Sequence, residues 1–182
     1  MCTGTGEMAV YLHRLAGNET RVQAVDFSLP MMLEAKKKPE SRFIDFVASN
    51  IRSLPFASGS FDLITMSFAT RNINLNKDIL IQSFVEFYRI LKPAGRFVNL
   101  ETSQPPFSPV RRCFHLYVKL FVQLIGSWIS GSGKAYAYLA KTIPRFYSAE
   151  ELAEILRQAG FAEVEFHRLL FGAAAIHHGV KR

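Results

Sequence analysis

Met1-Cys2-Thr3-Gly4-Thr5-Gly6-Glu7 opens the chain, and its reading decides the fold. Two glycines within three residues make a tight turn that lets the backbone come within contact distance of a ligand. Apolar residues at helical spacing begin directly behind it, at Met8, so a helix N-terminus presents its unpaired N–H groups at the same place. About 20 residues further on, Val22-Gln23-Ala24-Val25-Asp26 reads as a buried strand ending in a carboxylate, the position from which an acid holds ribose hydroxyls. Turn, helix, strand and acid make half of a nucleotide-binding α/β unit. The strand that ordinarily feeds such a turn is missing ahead of it, which predicts two open ladder edges and an opened core.

Working outward, the first helix is expected over Glu7 to Leu15 and the first complete strand over Arg21 to Val25. Ser28 is placed to cap a second helix that tolerates Pro30 and sets Lys36-Lys37-Lys38 near its C-terminal dipole. Strands follow at Phe43 to Ala48 and Phe61 to Ser67; the apolar run of the latter suits a parallel strand buried on both faces. A helix over Asp78 to Leu91 stops at Lys92-Pro93-Ala94-Gly95, and Arg96 to Glu101 is the next strand. This alternation implies right-handed crossovers and a mostly parallel sheet with helices on both faces.

The alternation breaks at Thr102. The segment Ser103 to Pro109 is held extended by its prolines. An amphipathic helix follows over Val110 to Ile129, with Phe114, Tyr117, Phe121, Leu124 and Trp128 on one stripe, expected to pack into the core. A loop at Gly131-Ser132-Gly133 and a short helix over Tyr136 to Ile143 complete a helical substrate lid over about 105–145. Ser148 and Glu151 form a capping box for a helix ending at Gly160. Ala162–His167 and Leu170–His178 make a closing antiparallel hairpin.

The chain has 182 residues, enough for one domain with one core. Hydrophobic residues are 49%, which places it among folded globular proteins. Cys2 and Cys113 show neither paired nor metal-like spacing, and no signal pattern opens the chain, so a reduced cytoplasmic setting is expected. The apolar stretch Leu116 to Ile129 carries Lys119 and Gln123 and falls short of a membrane span. Twenty-two basic against 15 acidic residues leave a net charge of +7, which suits an anionic lipid surface. No basic-aromatic tract supports nucleic-acid binding. His177 and His178 lack further ligands nearby in sequence, so no metal site is expected. Oligomeric state is not readable.

Gly4 to Ala9 also satisfies a loose dinucleotide fingerprint, but no second mononucleotide half follows and an antiparallel ending is unusual for that fold. More residues are accounted for otherwise. Cys2–Glu7, Ala24-Val25-Asp26, Ala48-Ser49-Asn50, Leu54-Pro55-Phe56, Phe61-Asp62, Ser67-Phe68-Ala69-Thr70-Arg71-Asn72, Arg89 to Gly95, Leu100-Glu101, Tyr136 to Leu139, Leu156 to Gly160 and Gly172 to Gly179 span nearly the whole chain. On these segments the sequence resembles the Rossmann-like class I S-adenosylmethionine-dependent methyltransferases, and within them the demethylmenaquinone/ubiquinone C-methyltransferases. Ser67–Asn72 is the most specific of the matches.

The resemblance implies S-adenosylmethionine as cofactor. It places Gly4, Thr5 and Gly6 at the methionine end, Asp26 on the ribose, Asn50 and the Ile51 backbone beside adenine, and Ser67 near the sulfonium. It implies C-methylation of a polyprenyl quinol, demethylmenaquinol to menaquinol, with Arg71 at the acceptor oxyanion and Asn72 either beside it or terminating the strand loop. His115 and Tyr117 are candidate proton acceptors by their place on the lid helix. Glu101 is a further acid at a strand end. Cys2 stands where the class prefers a third glycine and reads as a small packed residue. A benzoquinol or another small-molecule acceptor, and a non-catalytic cofactor-binding subunit or truncated inactive product, are the competing expectations. Salt-sensitive peripheral contact with an anionic membrane is expected to accompany a polyprenyl substrate.

Overall fold

The computed structural model describes residues 1–17, 19–122 and 142–182. The side chains of Phe121, Leu124 and Trp128, the loop at Gly131-Ser132-Gly133 and most of the short helix expected over Tyr136 to Ile143 lie outside the described residues, as does much of the expected lid. The elements, numbered in chain order, are α1 (Glu7–Ala16), β1 (Val22–Asp26), α2 (Leu29–Ala35), β2 (Ile44–Ala48), β3 (Phe61–Ser67), α3 (Thr70–Ile73), α4 (Lys77–Ile90), β4 (Leu91–Thr102), α5 (Ser108–Tyr117), α6 (Ala149–Gln158), β5 (Ala162–Leu169) and β6 (Ala174–Val180).

The strands form two sheets. β1 and β2 pair in parallel, Val22 opposite Ile44 and Asp26 opposite Ala48. The second sheet has the order β3-β4-β6-β5, with β3 and β4 parallel and both contacts of β6 antiparallel. Ala9 and Val10 of α1 pack on Val22, Ala24 and Ile44, a small core beneath the first sheet. The larger core lies under the second sheet. There α4 presents Leu80, Phe84, Phe87 and Ile90 at helical spacing, all fully buried, against Ile64, Met66, Phe97 and the Leu152, Ile155, Leu156 face of α6. Phe84, Phe87 and Phe97 are mutually tilted with centroids 5.5–6.1 Å apart. Each such ring or aliphatic side chain contributes about 1.5–3 kcal/mol on burial, so this cluster is the chief stabiliser. α6 begins with the expected capping box: the Glu151 N–H donates to Ser148 Oγ, and the Ser148 N–H to Glu151 Oε2.

β1 and β3 do not pair with one another. Between them lies a cavity of about 200 Å³ lined by Val22 to Ala24 on one side and Thr65 to Ser67 on the other. Met1 to Thr3 cross its end: the Thr3 N–H donates to Val25 O at 3.0 Å and the Met1 amino group to Thr65 O at 2.7 Å. The facing edges of β1 and β3 are thus unpaired with one another, and residues Met1 to Thr3 join them near their carboxyl ends.

Three expectations are corrected. β3 is not buried on both faces: Ile64 and Met66 are buried, but Leu63 is 46% exposed, and Thr65 and Ser67 line the cavity. Its alternation puts only one face on the core. Ser28 sits at the N-cap of α2, but its side chain makes no capping bond. Its N–H donates instead to Asp26 Oδ1 at 2.8 Å. Of the aromatic stripe, the two described members do not enter the core: α5 buries none of its residues, and Tyr117 is 56% exposed.

Candidate functional site

The carboxyl ends of β1, β2 and β3 and the loops behind them enclose a cleft of about 720 Å³. That is the size range of sites for small ligands and cofactors. Its lining includes Gly4, Thr5, Asp26, Asn50, Ile51, Ser67 and Asn72. Residues expected at three parts of one nucleotide cofactor, from stretches far apart in sequence, thus meet in one cleft.

The opening turn owes its shape to both glycines, which adopt φ of 53° at Gly4 and 81° at Gly6. Gly6 ends the turn as the N-cap of α1 and does not line the cleft; a Cβ there would stand 2.9 Å from the Cβ of Ala35. Its role is close packing of the turn on α2. Asp26 holds the turn from the other side. Its Oδ2 accepts from the Gly4 N–H at 2.6 Å and its Oδ1 from the Ser28 N–H at 2.8 Å, which orients the carboxylate while each oxygen keeps a further lone pair for a ligand hydroxyl. Lys38, read from sequence only as a partner for the α2 dipole, donates to Thr5 O at 2.8 Å and pairs with Glu7. Cys2 is half-buried against the core, and burial pushes its thiol up to about 11, the state of an inert packed cysteine.

The loop at Asn50 is shaped locally by that side chain, whose Oδ1 accepts from the Arg52 N–H at 3.1 Å. It is anchored from α4. Glu86 accepts from the Leu54 N–H at 2.8 Å, and Arg89 donates to Phe56 O at 2.9 Å while gripping Glu86. That pairing holds the Glu86 carboxyl below its usual range and raises the Arg89 guanidinium. Glu86 carried no signal beyond its place in the helix that ends at Lys92-Pro93-Ala94-Gly95, and Arg89 only its place in the matching segment Arg89 to Gly95; neither announced an anchoring role.

Behind Ser67, Phe68 has a left-handed backbone (φ 51°), with its N–H donating to Leu100 O at 2.8 Å. A non-glycine residue in this region costs about 1–3 kcal/mol, a local strain of the kind found beside ligands. Phe68 lines the cleft with Phe27, Met31, Ile73, Leu75 and Ile79, an apolar wall the sequence did not indicate.

Of the four expected catalytic residues, Asn72 lines this cleft and Arg71, His115 and Tyr117 do not. Arg71 is buried, its Nη1 donating to Thr102 Oγ1 at 3.1 Å and lying 3.9 Å from Glu101 Oε1. Glu101 is fully buried and accepts from the N–H groups of Arg71 and Thr102. Its carboxylate is thus committed to holding the turn after β3 on β4. His115 Nε2 lies 2.7 Å from Gln104 Oε1. Because the Gln104 amide N–H donates to Ile143 O, its oxygen faces the ring, which makes Nε2–H the donor and leaves Nδ1 as the basic nitrogen. Burial, and then the Arg111 charge, lower the His115 pKa. Tyr117 stands two residues on, at the end of α5.

The model of the ubiE/COQ5 methyltransferase family matches residues 1–181. A ubiquinone/menaquinone biosynthesis C-methyltransferase UbiE of Desulfotalea psychrophila is 36% identical over 181 residues, covering 100% of this chain and 72% of its own. A demethylmenaquinone methyltransferase of Lactiplantibacillus plantarum is 37% identical over 185 residues, covering 100% and 76%. Among solved structures, a SAM-dependent methyltransferase of Thermotoga maritima superposes with TM-score 0.69 at 21% identity, over 100% of this chain and 80% of that one. Another SAM-dependent methyltransferase, from Aquifex aeolicus, gives 0.68 at 17%, over 100% and 79%. These structural likenesses establish the class I methyltransferase fold.

Proposed function

The chain belongs to the ubiE/COQ5 methyltransferase family, and from that membership we propose that it C-methylates a demethylated polyprenyl quinol, converting demethylmenaquinol to menaquinol with S-adenosylmethionine. The observation that carries the reading is the single cleft that gathers Gly4, Thr5, Asp26, Asn50, Ile51 and Ser67. The donor set fits the cofactor. A carboxylate oriented by two N–H groups meets ribose hydroxyls, the turn at Gly4-Thr5 gives close backbone approach to the methionine end, and the Asn50 amide reads a base edge.

S-adenosylmethionine, when bound, supplies a methyl carbon already activated by a positively charged sulfur. The chain's own task is to align the acceptor carbon and keep water out. Phe68, Ile73, Leu75 and Ile79 give the apolar wall for a quinol ring and the start of its chain. A ring carbon becomes nucleophilic when the neighbouring hydroxyl loses its proton. The Asn72 amide, at the cleft surface, donates to the resulting oxyanion. Arg71 is a positioning residue, fixing through Thr102 and Glu101 the turn that carries Asn72. His115, kept neutral by its lowered pKa, stands on α5 outside the cleft lining as the candidate proton acceptor, and Tyr117, two residues on, projects from another side of that helix.

Such a substrate resides in lipid, and the lid side offers a contact for it. Leu170 and Phe171 are 78% and 88% exposed in the turn between β5 and β6, both with left-handed backbone. That turn abuts Pro105 and Pro106 through Gly172, next to Phe107, which is 65% exposed. Arg111, Arg112 and Lys119 follow on α5 and beyond. Exposed apolar tips beside basic residues suit the surface of an anionic bilayer. Among the described residues no helix is long and apolar enough to cross a membrane. The test of the activity is transfer of labelled methyl from S-adenosylmethionine to a short-chain demethylmenaquinol; cofactor binding without transfer would instead mark a non-catalytic binding subunit.

A further inference from the structure

The closing hairpin carries a side-chain cluster that the methyl-transfer site does not use. Glu165 on β5 lies directly opposite His178 on β6, with His178 Nε2 3.4 Å from Glu165 Oε2. His167 is two residues beyond Glu165, so the pleat puts both on one face, while Phe166 and its partner His177 turn to the other. The His167 and His178 rings stack at 6.1 Å. One ligand atom from each of Glu165, His167 and His178 lies within 4.8 Å of the others. From sequence His178 had no neighbouring ligands; the hairpin register brings two.

We propose that Glu165, His167 and His178 form a binding site for a divalent transition-metal ion of the zinc class. Two imidazoles and one carboxylate are the donor set suited to zinc, copper, nickel or ferrous iron rather than to calcium or magnesium. Bonds of about 2.0–2.2 Å to a common ion require donor atoms about 3.3–3.6 Å apart in a tetrahedron. The Glu165–His178 pair stands at that separation, and the exposed His167 closes the remainder by rotation about its own side-chain bonds. Three protein ligands leave at least one position to water. The ion would clip β5, the edge strand of its sheet, to β6.

The site lies outside the cleft lining, so its test is separable from methyl transfer. Full-length protein stripped with a chelator is titrated calorimetrically with zinc chloride, alongside Glu165→Gln, His167→Gln and His178→Gln. Wild type is expected to bind one equivalent and to gain thermal stability as zinc rises. Each substitution should weaken binding by about tenfold or more, with cofactor binding unchanged. Because two of the three residues are exposed and the third half-buried, the variants are expected to fold. Absence of saturable binding, or binding that all three variants retain, overturns the proposal.

Discussion

Asp26 reaches back 22 residues to accept the Gly4 N–H at 2.6 Å, so the acid expected on the ribose also builds the turn expected at the methionine end. The two expected halves of the cofactor site are coupled through one carboxylate. Asp26→Asn must aim an NH₂ group either at the Gly4 N–H or at the Ser28 N–H, because an amide has one acceptor oxygen where the carboxylate has two. An unsatisfied buried partner costs about 1–3 kcal/mol. S-adenosylmethionine affinity measured by calorimetry should therefore fall by about 5- to 150-fold. An unchanged dissociation constant would remove Asp26 from the site.

Gly6 packs the opening turn against Ala35 of α2, and its substitution should show that. At φ 81°, a Cβ is strained, and it would meet the Ala35 Cβ at 2.9 Å. Gly6→Ala is expected to cost about 2 kcal/mol, a fall of about 4–8 °C in melting temperature for a chain of this size. A wild-type melting temperature in Gly6→Ala would show that α1 and α2 separate freely.

His177 makes stability depend on pH. Its Nε2–H donates to Ala149 O at 2.8 Å inside the core, and burial lowers its pKa below the usual 6.5. The unfolded chain therefore takes up a proton on this ring as pH falls through 6.5, while the folded chain resists until lower pH. Unfolding binds a proton in that window, so stability declines as pH drops through it and is flat above it. Urea midpoints should fall between pH 7.5 and pH 5.5, and His177→Gln, which keeps a donor for Ala149 O, should show a shallower fall. Identical slopes would assign the effect to other groups.

The convergence of the expected cofactor residues on one cleft was legible because their signals are local. A glycine turn, a strand ending in acid and a loop asparagine each announce their chemistry within a few residues, and parallel pairing of β1 with β2 brings two of them together. The acceptor side was not. That Arg71 faces Glu101 depends on the register of β3 against β4, which sets Ser67 opposite Leu100 and leaves Glu101 under the following turn. No spacing within either segment encodes that. The Glu86 and Arg89 anchors were hidden likewise, since Arg89 reaches Phe56 O across 33 residues. The left-handed Phe68 had no signal either, because strain at a non-glycine residue is imposed by its surroundings.

Membrane contact, if made by the turn between β5 and β6, should depend on Leu170 and Phe171. Wild type is expected to co-sediment with phosphatidylglycerol-containing vesicles at low salt and to be released as salt rises, since the attraction of basic residues to the surface is screened. Leu170→Ser with Phe171→Ser should reduce the bound fraction several-fold without altering the melting temperature, because both side chains are already exposed. Equal sedimentation of the double variant would move the contact to another face.

Arg71 and Asn72 are adjacent in sequence but should fail in different ways. Removing the Arg71 side chain leaves Glu101, which has no solvent exposure, without its cation, and a buried pair broken on one side costs about 3–5 kcal/mol. Arg71→Ala should therefore lower the melting temperature by about 6–20 °C and lose activity with it. Asn72 is exposed at the cleft, so Asn72→Ala should leave stability and cofactor affinity near wild type while turnover drops by about 10²-fold, the usual cost of losing one oxyanion donor. Glu101→Gln distinguishes the roles further: if Arg71 acts only by holding the turn, keeping Arg71 while removing its counter-charge should disturb stability more than kcat. If Arg71→Ala instead retains its melting temperature and loses only kcat, Arg71 itself contacts the acceptor, and the ion pair with Glu101 is a resting arrangement that substrate binding rearranges.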